Sequence, residues 1–159
     1  MKRVNKILNN HSYNLYMDKI NKAETHRIFC LHNLEHLLDV ARIAYILTLE
    51  RDVPLDKEII YASALLHDIG RWQQYLDESD HALVSAELAI DILKACDFNQ
   101  QEIQLIIQAI KKHREGNDLS TDLDFILYEA DKQSRLCINC KSSHQCMKKE
   151  DIKNQSIEY

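Results

Sequence analysis

Two glycines, Gly70 and Gly116, and one proline, Pro54, are all that this 159-residue chain holds of the two residues best suited to breaking regular structure. Tight strand reversals draw on Gly, Pro, Asn-Gly and Asp-Gly. With so few of them the chain is predicted to be mostly helical. An apolar share of 45% and a charged share of 28% belong to an ordinary globular protein. The length suffices for one domain with a sizeable core.

Apolar residues recurring every three or four positions place six helices. The first covers about residues 3–24, with Ile7, Leu8, Leu15 and Ile20 on its apolar side. The second runs from Leu34 to Arg51, and the third from a cap at Asp56 to Asp68. A polar loop through Asp77–Asp80 leads to a fourth helix over His81–Cys96. The fifth spans Gln100–Arg114, and the sixth, capped by Ser120 or Thr121, reaches about Leu136. IIYASALL is apolar nearly all round and must lie centrally. The expectation is an all-α, compact single-domain bundle of about six helices. Residues 1–136 form the domain, and residues 137–159 a polar tail bearing cysteines.

A net charge of −5 argues against a general nucleic-acid binder, because phosphate polymers select clustered Lys and Arg. The opening MKRVNKILNN lacks the apolar core of a signal peptide, and no apolar run reaches membrane-spanning length. A cytoplasmic protein is expected. Five cysteines without a secretory signal then argue against a disulfide framework. Nothing in the sequence fixes an oligomeric state.

Extending each apolar face by one further turn exposes a pattern. Val40, Ile43 and Leu47 extended backwards meet His36; Ile60 and Ala64 extended forwards meet His67, with Asp68 beside it. Val84, Leu88 and Ile92 lead back to His81, Ile103, Ile106 and Ile110 lead on to His113, and Leu123 and Leu127 lead on to Asp131. A single histidine on an apolar face is ordinarily a hydrogen-bonded core residue. Six such groups on five helices, two of them carboxylates, make an anionic cluster that a cation would neutralise. Imidazole and carboxylate without thiolate suit Fe, Mn, Ni or Zn, and one or two such divalent ions are expected.

The ordered set His36 in HLLDVARIA, His67-Asp68 in LLHDIGR and Asp131 in YEADKQSR resembles the H…HD…D signature of the HD superfamily of metal-dependent phosphohydrolases. The resemblance covers about residues 28–136. It implies an HD-domain-like helical fold and one metal held by His36, His67, Asp68 and Asp131. His81, in DHALVSAELAIDIL, and His113, in AIKKHRE, are similar to the extra histidines of branches that hold two metals. By that likeness Asp68, His81 and His113 hold a second ion, with Asp68 bridging. Arg114 stands where those branches have a second consecutive histidine, and their Gly-Tyr-Pro element is missing. In compactness and motif order the chain is also similar to the symmetrical diadenosine tetraphosphate hydrolases.

The function this implies is hydrolysis of a nucleotide or other small phosphoester through a metal-activated water. Asp68 and Arg71 are the candidate catalytic residues, and Arg71, Lys132 and Arg135 the candidate substrate-binding cations. Asp77, Glu78 and Asp80 are weighed as proton donors, against a plain solvated loop. Two alternatives remain open: an HD-type di-iron oxygenase with the same H…HD…H…H…D donors, or a non-catalytic metal-binding regulatory domain. Cys137, Cys140 and Cys146, in CINCKSSHQC, form a candidate second, soft-metal site that Cys30 could complete. Reduced, metal-free thiols are the other reading of that tail.

Overall fold

Helix after helix begins at a side chain that accepts from exposed backbone N–H groups. In the computed structural model, which describes residues 1–148 and 153–159, eight α-helices and one 3-10 turn follow in order. They are α1 (Lys2–Leu8), α2 (His11–Ala23), α3 (Leu34–Glu50), α4 (Lys57–Leu66), α5 (Arg71–Asp77), α6 (His81–Ala95), α7 (Gln100–Lys112) and α8 (Asp122–Gln133), with the 3-10 turn at Ser143–Gln145. Among the described residues there is no strand, so the fold is all-α as expected.

Two differences raise the helix number above six. The N-terminal helix is broken at Asn9-Asn10, where Asn10 turns extended and its side chain accepts from Tyr13 N (3.2 Å). Asparagine competes with helix continuation in this way and favours a new start. The second addition is α5, which follows Gly70 directly and ends at Glu78 in the left-handed region. None of its residues is buried, so no apolar stripe marks it in the sequence.

The expected cap at Asp56 holds: it accepts from Glu58 N and Ile59 N. Asp80, read from the sequence only as a loop residue, caps α6 by accepting from Ala82 N and Leu83 N. Asn99 and Thr121 each close a reciprocal capping box, with Glu102 and Asp124 respectively, which settles the start of α8 on Thr121.

The central helix is α4, whose residues 59, 60 and 62–66 are all buried. It packs against α1, α3, α6, α7 and α8. Arg3 clamps one end of the bundle: its Nε donates to Glu58 (2.7 Å) and its Nη1 to both oxygens of Glu102 (2.8 and 2.7 Å). That arginine is the main reason the Glu58 carboxyl is lowered to about 2.

The turn after α4 is pressed onto α6. A Cβ at Gly70 would stand 2.6 Å from Ser85 N and 2.8 Å from Val84 Cβ, and Gly70 N donates to Ser85 Oγ (2.9 Å). Only glycine permits that approach.

At the other end of the chain, the Asn154 side-chain amide donates to the carbonyls of Lys132 (2.8 Å), Gln133 (3.1 Å) and Arg135 (2.8 Å), which closes the C-terminus of α8. Part of the sequence-defined tail, residues 149–152, lies outside the described residues. Among the described residues no helix is long and apolar enough to cross a membrane.

Candidate metal centre

Each of the six polar residues reached by extending an apolar face sits at or near a helix end. His36 lies in the first turn of α3, and His67-Asp68 follows the last residue of α4. His81 opens α6, His113 caps the end of α7, and Asp131 is in the last turn of α8. All six are buried. Helix ends are where a side chain can leave the apolar face without interrupting it, so the bundle brings the six together at one end.

The donor atoms converge in two groups, each with all atoms within 4.8 Å of one another: His36, His67, Asp68 and Asp131, then Asp68, His81 and His113. Asp68 belongs to both and divides its oxygens between them. Its Oδ2 lies 3.1 Å from His67 Nε2 and 3.8 Å from His36 Nε2, while its Oδ1 lies 3.3 Å from His81 Nε2 and 3.6 Å from His113 Nε2. Asp131 Oδ1 completes the first group, 3.4 Å from His36 Nε2 and 3.7 Å from His67 Nε2.

The histidine rings are oriented for coordination. His67 Nδ1 donates to the Ala64 carbonyl (2.7 Å) and His113 Nδ1 to the Ile110 carbonyl (2.6 Å), which fixes the tautomer and turns each Nε2 lone pair inward. His67 Nε2 and Asp68 Oδ1 are buried without a hydrogen-bond partner. Orphaned buried acceptors of this kind are costly, and a cation satisfies them.

Electrostatics agree. Burial alone would raise the Asp68 carboxyl, yet the positive charge of the surrounding histidines, His67 first and then His32, with His113 and His36 close by, holds it well below its ordinary value. Burial opposes ionisation of Asp131 too, but His36, His67 and Lys132 hold it well below its ordinary value. Burial, reinforced by the charges of Arg71, His113 and His67, pushes His81 down to about 3, so its ring stays neutral with a lone pair to share. Burial lowers His67, but the two carboxylates Asp68 and Asp131 outweigh it and raise the ring to about 10, so an ion entering between the ionised carboxylates displaces the His67 proton.

Beside the donors lies a cavity of about 1240 Å³ whose lining includes Arg27, Arg71, Arg114, Lys132 and Arg135. The three expected cations reach the donors themselves. Arg71 Nη1 lies 3.0 and 3.1 Å from the two ring nitrogens of His81, Arg135 Nη2 lies 2.9 Å from His36 Nε2, and Lys132 Nζ lies 2.7 Å from Asp131 Oδ2. They are spaced around the centre on α5, α8 and the segment just beyond α8, an arrangement that suits an anion bound against cations.

The loop carboxylates have other partners: Asp80 caps α6 and pairs with Arg114 (2.8 Å), and Asp77 accepts from Ser79 N (3.0 Å). Cys137, Cys140 and Cys146 are half-buried and Cys30 is exposed; all four line the cavity. Among the described residues their sulfurs form no convergent donor group, so a soft-metal site there requires the tail to rearrange.

Sequence reasoning missed His32. It is buried, engages Glu24 and faces Asp68 Oδ2 at 3.9 Å. Lying before the Asn33 cap, it belongs to no apolar periodicity. The available signal was the His32–His36 spacing in HNLEH, one helical turn.

Comparison with known proteins places these residues in a family context. The HD domain profile matches residues 33–136. An uncharacterized protein of Clostridium beijerinckii is 44% identical over 159 residues, the full length of both chains. Ribonuclease Y of Acidothermus cellulolyticus is 32% identical over 77 residues, which cover 45% of this chain and 15% of that one. Among solved structures, a predicted HD superfamily hydrolase from an uncultured Thermotogales bacterium superposes with a TM-score of 0.65 at 23% identity, covering 89% of this chain and 81% of that one.

Proposed function

The chain belongs to the HD-domain family, and from that premise we propose that it is a metal-dependent phosphohydrolase acting on a nucleotide or other small phosphoester. The observation that carries the reading is the division of the Asp68 carboxylate, with Oδ2 toward His36, His67 and Asp131 and Oδ1 toward His81 and His113. A carboxylate shared in this way suits two ions set close together, the arrangement used to clamp a phosphoryl group.

In this reading His36, His67, Asp68 and Asp131 hold one divalent ion, and Asp68, His81 and His113 hold the other. The nitrogen and oxygen donors suit Fe, Mn, Ni or Zn. Bound there, such ions supply Lewis acidity toward a phosphoryl oxygen and toward the attacking water.

The protein's own part is positioning and charge. His67 and His113 are held rigidly by the carbonyls of Ala64 and Ile110. Arg71 at the His81 side, and Lys132 and Arg135 at the Asp131 and His36 side, meet the charge that builds on phosphoryl oxygens. Residues 1–136 make up the catalytic domain, and from the tail Asn154 closes the end of α8.

The test is purified protein supplied with Mn or Fe, screened for phosphate release from nucleotides and generic phosphodiesters, with elemental analysis alongside. Two ions per chain and turnover are expected, with both lost in D68A. D68A that kept its metal and its turnover would overturn the reading. Oxygen consumption by the iron-loaded protein without phosphate release would favour the HD-type oxygenase instead.

A further inference from the structure

Before α3 lies a polar assembly outside the six donors. The backbone N–H of His32 donates to Glu24 Oε2 (2.8 Å), and the ring Nδ1 is hydrogen-bonded to Glu24 Oε1. Tyr75, from α5, donates its hydroxyl to the same Oε1 (2.5 Å). A carboxylate accepts and does not donate, so the proton on the imidazole belongs at Nδ1 and the Nε2 lone pair is left open.

That nitrogen has a definite outlook. Among the described residues nothing hydrogen-bonds it; His32 lines the cavity, and Nε2 stands 3.9 Å from Asp68 Oδ2. The ring meets that of His36 edge-on, with centroids 5.8 Å apart. A buried histidine kept only for packing has both nitrogens satisfied. Here one nitrogen is held by two elements of the fold, and the other is aimed at the centre.

We propose that His32 is a further protein donor, through Nε2, to the ion held by His36, His67, Asp68 and Asp131, with Glu24 and Tyr75 as its positioning pair. The inference rests on the metal-centre reading above and adds a residue to it.

Distances support the assignment. Two donors bound to one cation at about 2.1 Å each stand roughly 3.0–4.2 Å apart, from the cis to the trans arrangement. His32 and Asp68 at 3.9 Å fall in that window, as do His36 and Asp68 at 3.8 Å. His32 is outside the set whose donor atoms all lie within 4.8 Å of one another. It meets that set along the Asp68 Oδ2 side, and binding requires the ring to move inward toward the other donors. The imidazole–carboxylate pair behind it is the usual support of a metal-binding histidine.

The experiment measures Mn(II) binding to the full chain by calorimetry, and counts histidine nitrogens on sub-stoichiometric Mn(II) by pulsed paramagnetic resonance. E24Q is expected to weaken Mn(II) binding by about tenfold. H32Q is expected to weaken it further and to lose one nitrogen from the count. A folded H32Q with the wild-type affinity and nitrogen count overturns the inference while leaving the metal centre standing. Wild-type protein that takes up no Mn(II), Fe(II), Ni(II) or Zn(II) overturns both. A Mn-loaded crystal structure of the unmodified chain decides without any variant: Nε2 within about 2.3 Å of the ion supports the assignment, and a ring turned away from the ion overturns it.

Discussion

Arg114 donates to Asp80 across 2.8 Å, tying the residue after His113 to the residue before His81. The two histidines that face Asp68 Oδ1 are thus joined by a strut as well as by their shared carboxylate. Both partners are more than a third exposed, so the pair is screened and adds little to global stability, on the order of 0.2–1 kcal/mol. Its expected effect is local. R114A should melt within about two degrees of the wild type, yet bind the second equivalent of Mn(II) several-fold more weakly than the first. A two-site calorimetric titration reads both constants, and an unchanged second constant would deny the strut any role.

Arg71 offers a separation of charge from coordination. Its Nη1 sits beside His81, but a guanidinium is always protonated and cannot itself bind a cation. R71A is therefore expected to retain its metal while losing about 10²-fold or more in kcat for a phosphoester, the scale seen when one donor to transition-state charge is removed. R71K should recover part of the rate. Metal content by elemental analysis beside steady-state kinetics makes the comparison; parallel loss of both would place Arg71 in the scaffold.

Gly70 tests packing. An added methyl would meet Ser85 N at 2.6 Å and Val84 Cβ at 2.8 Å, backbone on one side and a branched carbon on the other. G70A should destabilise the fold by about 1–3 kcal/mol. S85A, which only removes the acceptor of the Gly70 N–H, should cost about 1 kcal/mol. Denaturant unfolding curves supply both numbers.

Glu58 gives a pH dependence remote from the metal donors. In the folded chain Arg3 holds its carboxyl at about 2, well below its ordinary value of 4.5. The unfolded state therefore takes up the proton first, and the stabilisation is complete above about pH 4.5 and lost as pH falls toward 2. E58Q removes that contribution. Its melting temperature should lie below the wild type at pH 7, and the gap should narrow between pH 4.5 and 2. A constant gap across that interval would show that the Arg3 contact does not set the acid limb.

How far the sequence carried the fold can be seen in particular residues. Asp56 and Thr121 announced helix starts because capping is a local contest that neighbouring residues decide. The break at Asn9-Asn10 was equally local, yet the apolar stripe continues through it and hid it. Helix α5 buries nothing and so leaves no periodic trace. His36, His67, His81, His113 and Asp131 were legible because each prolongs an apolar face, with Asp68 adjacent to one of them. His32 prolongs none: it is held by Glu24 and Tyr75, respectively eight residues before it and 43 after it, a meeting that only the fold creates.

Asn154 carries a consequence for the far end of the molecule. The helix that presents Asp131 borrows its terminal amide donor from a residue 22 positions beyond Lys132, instead of supplying it from the next turn. The reach of that intervening chain is thereby a dimension of the end of the bundle where the six donors meet. Splicing residues into it, or trimming them out, would be transmitted to the carboxylate as a change of pitch, although no residue near the carboxylate had been altered.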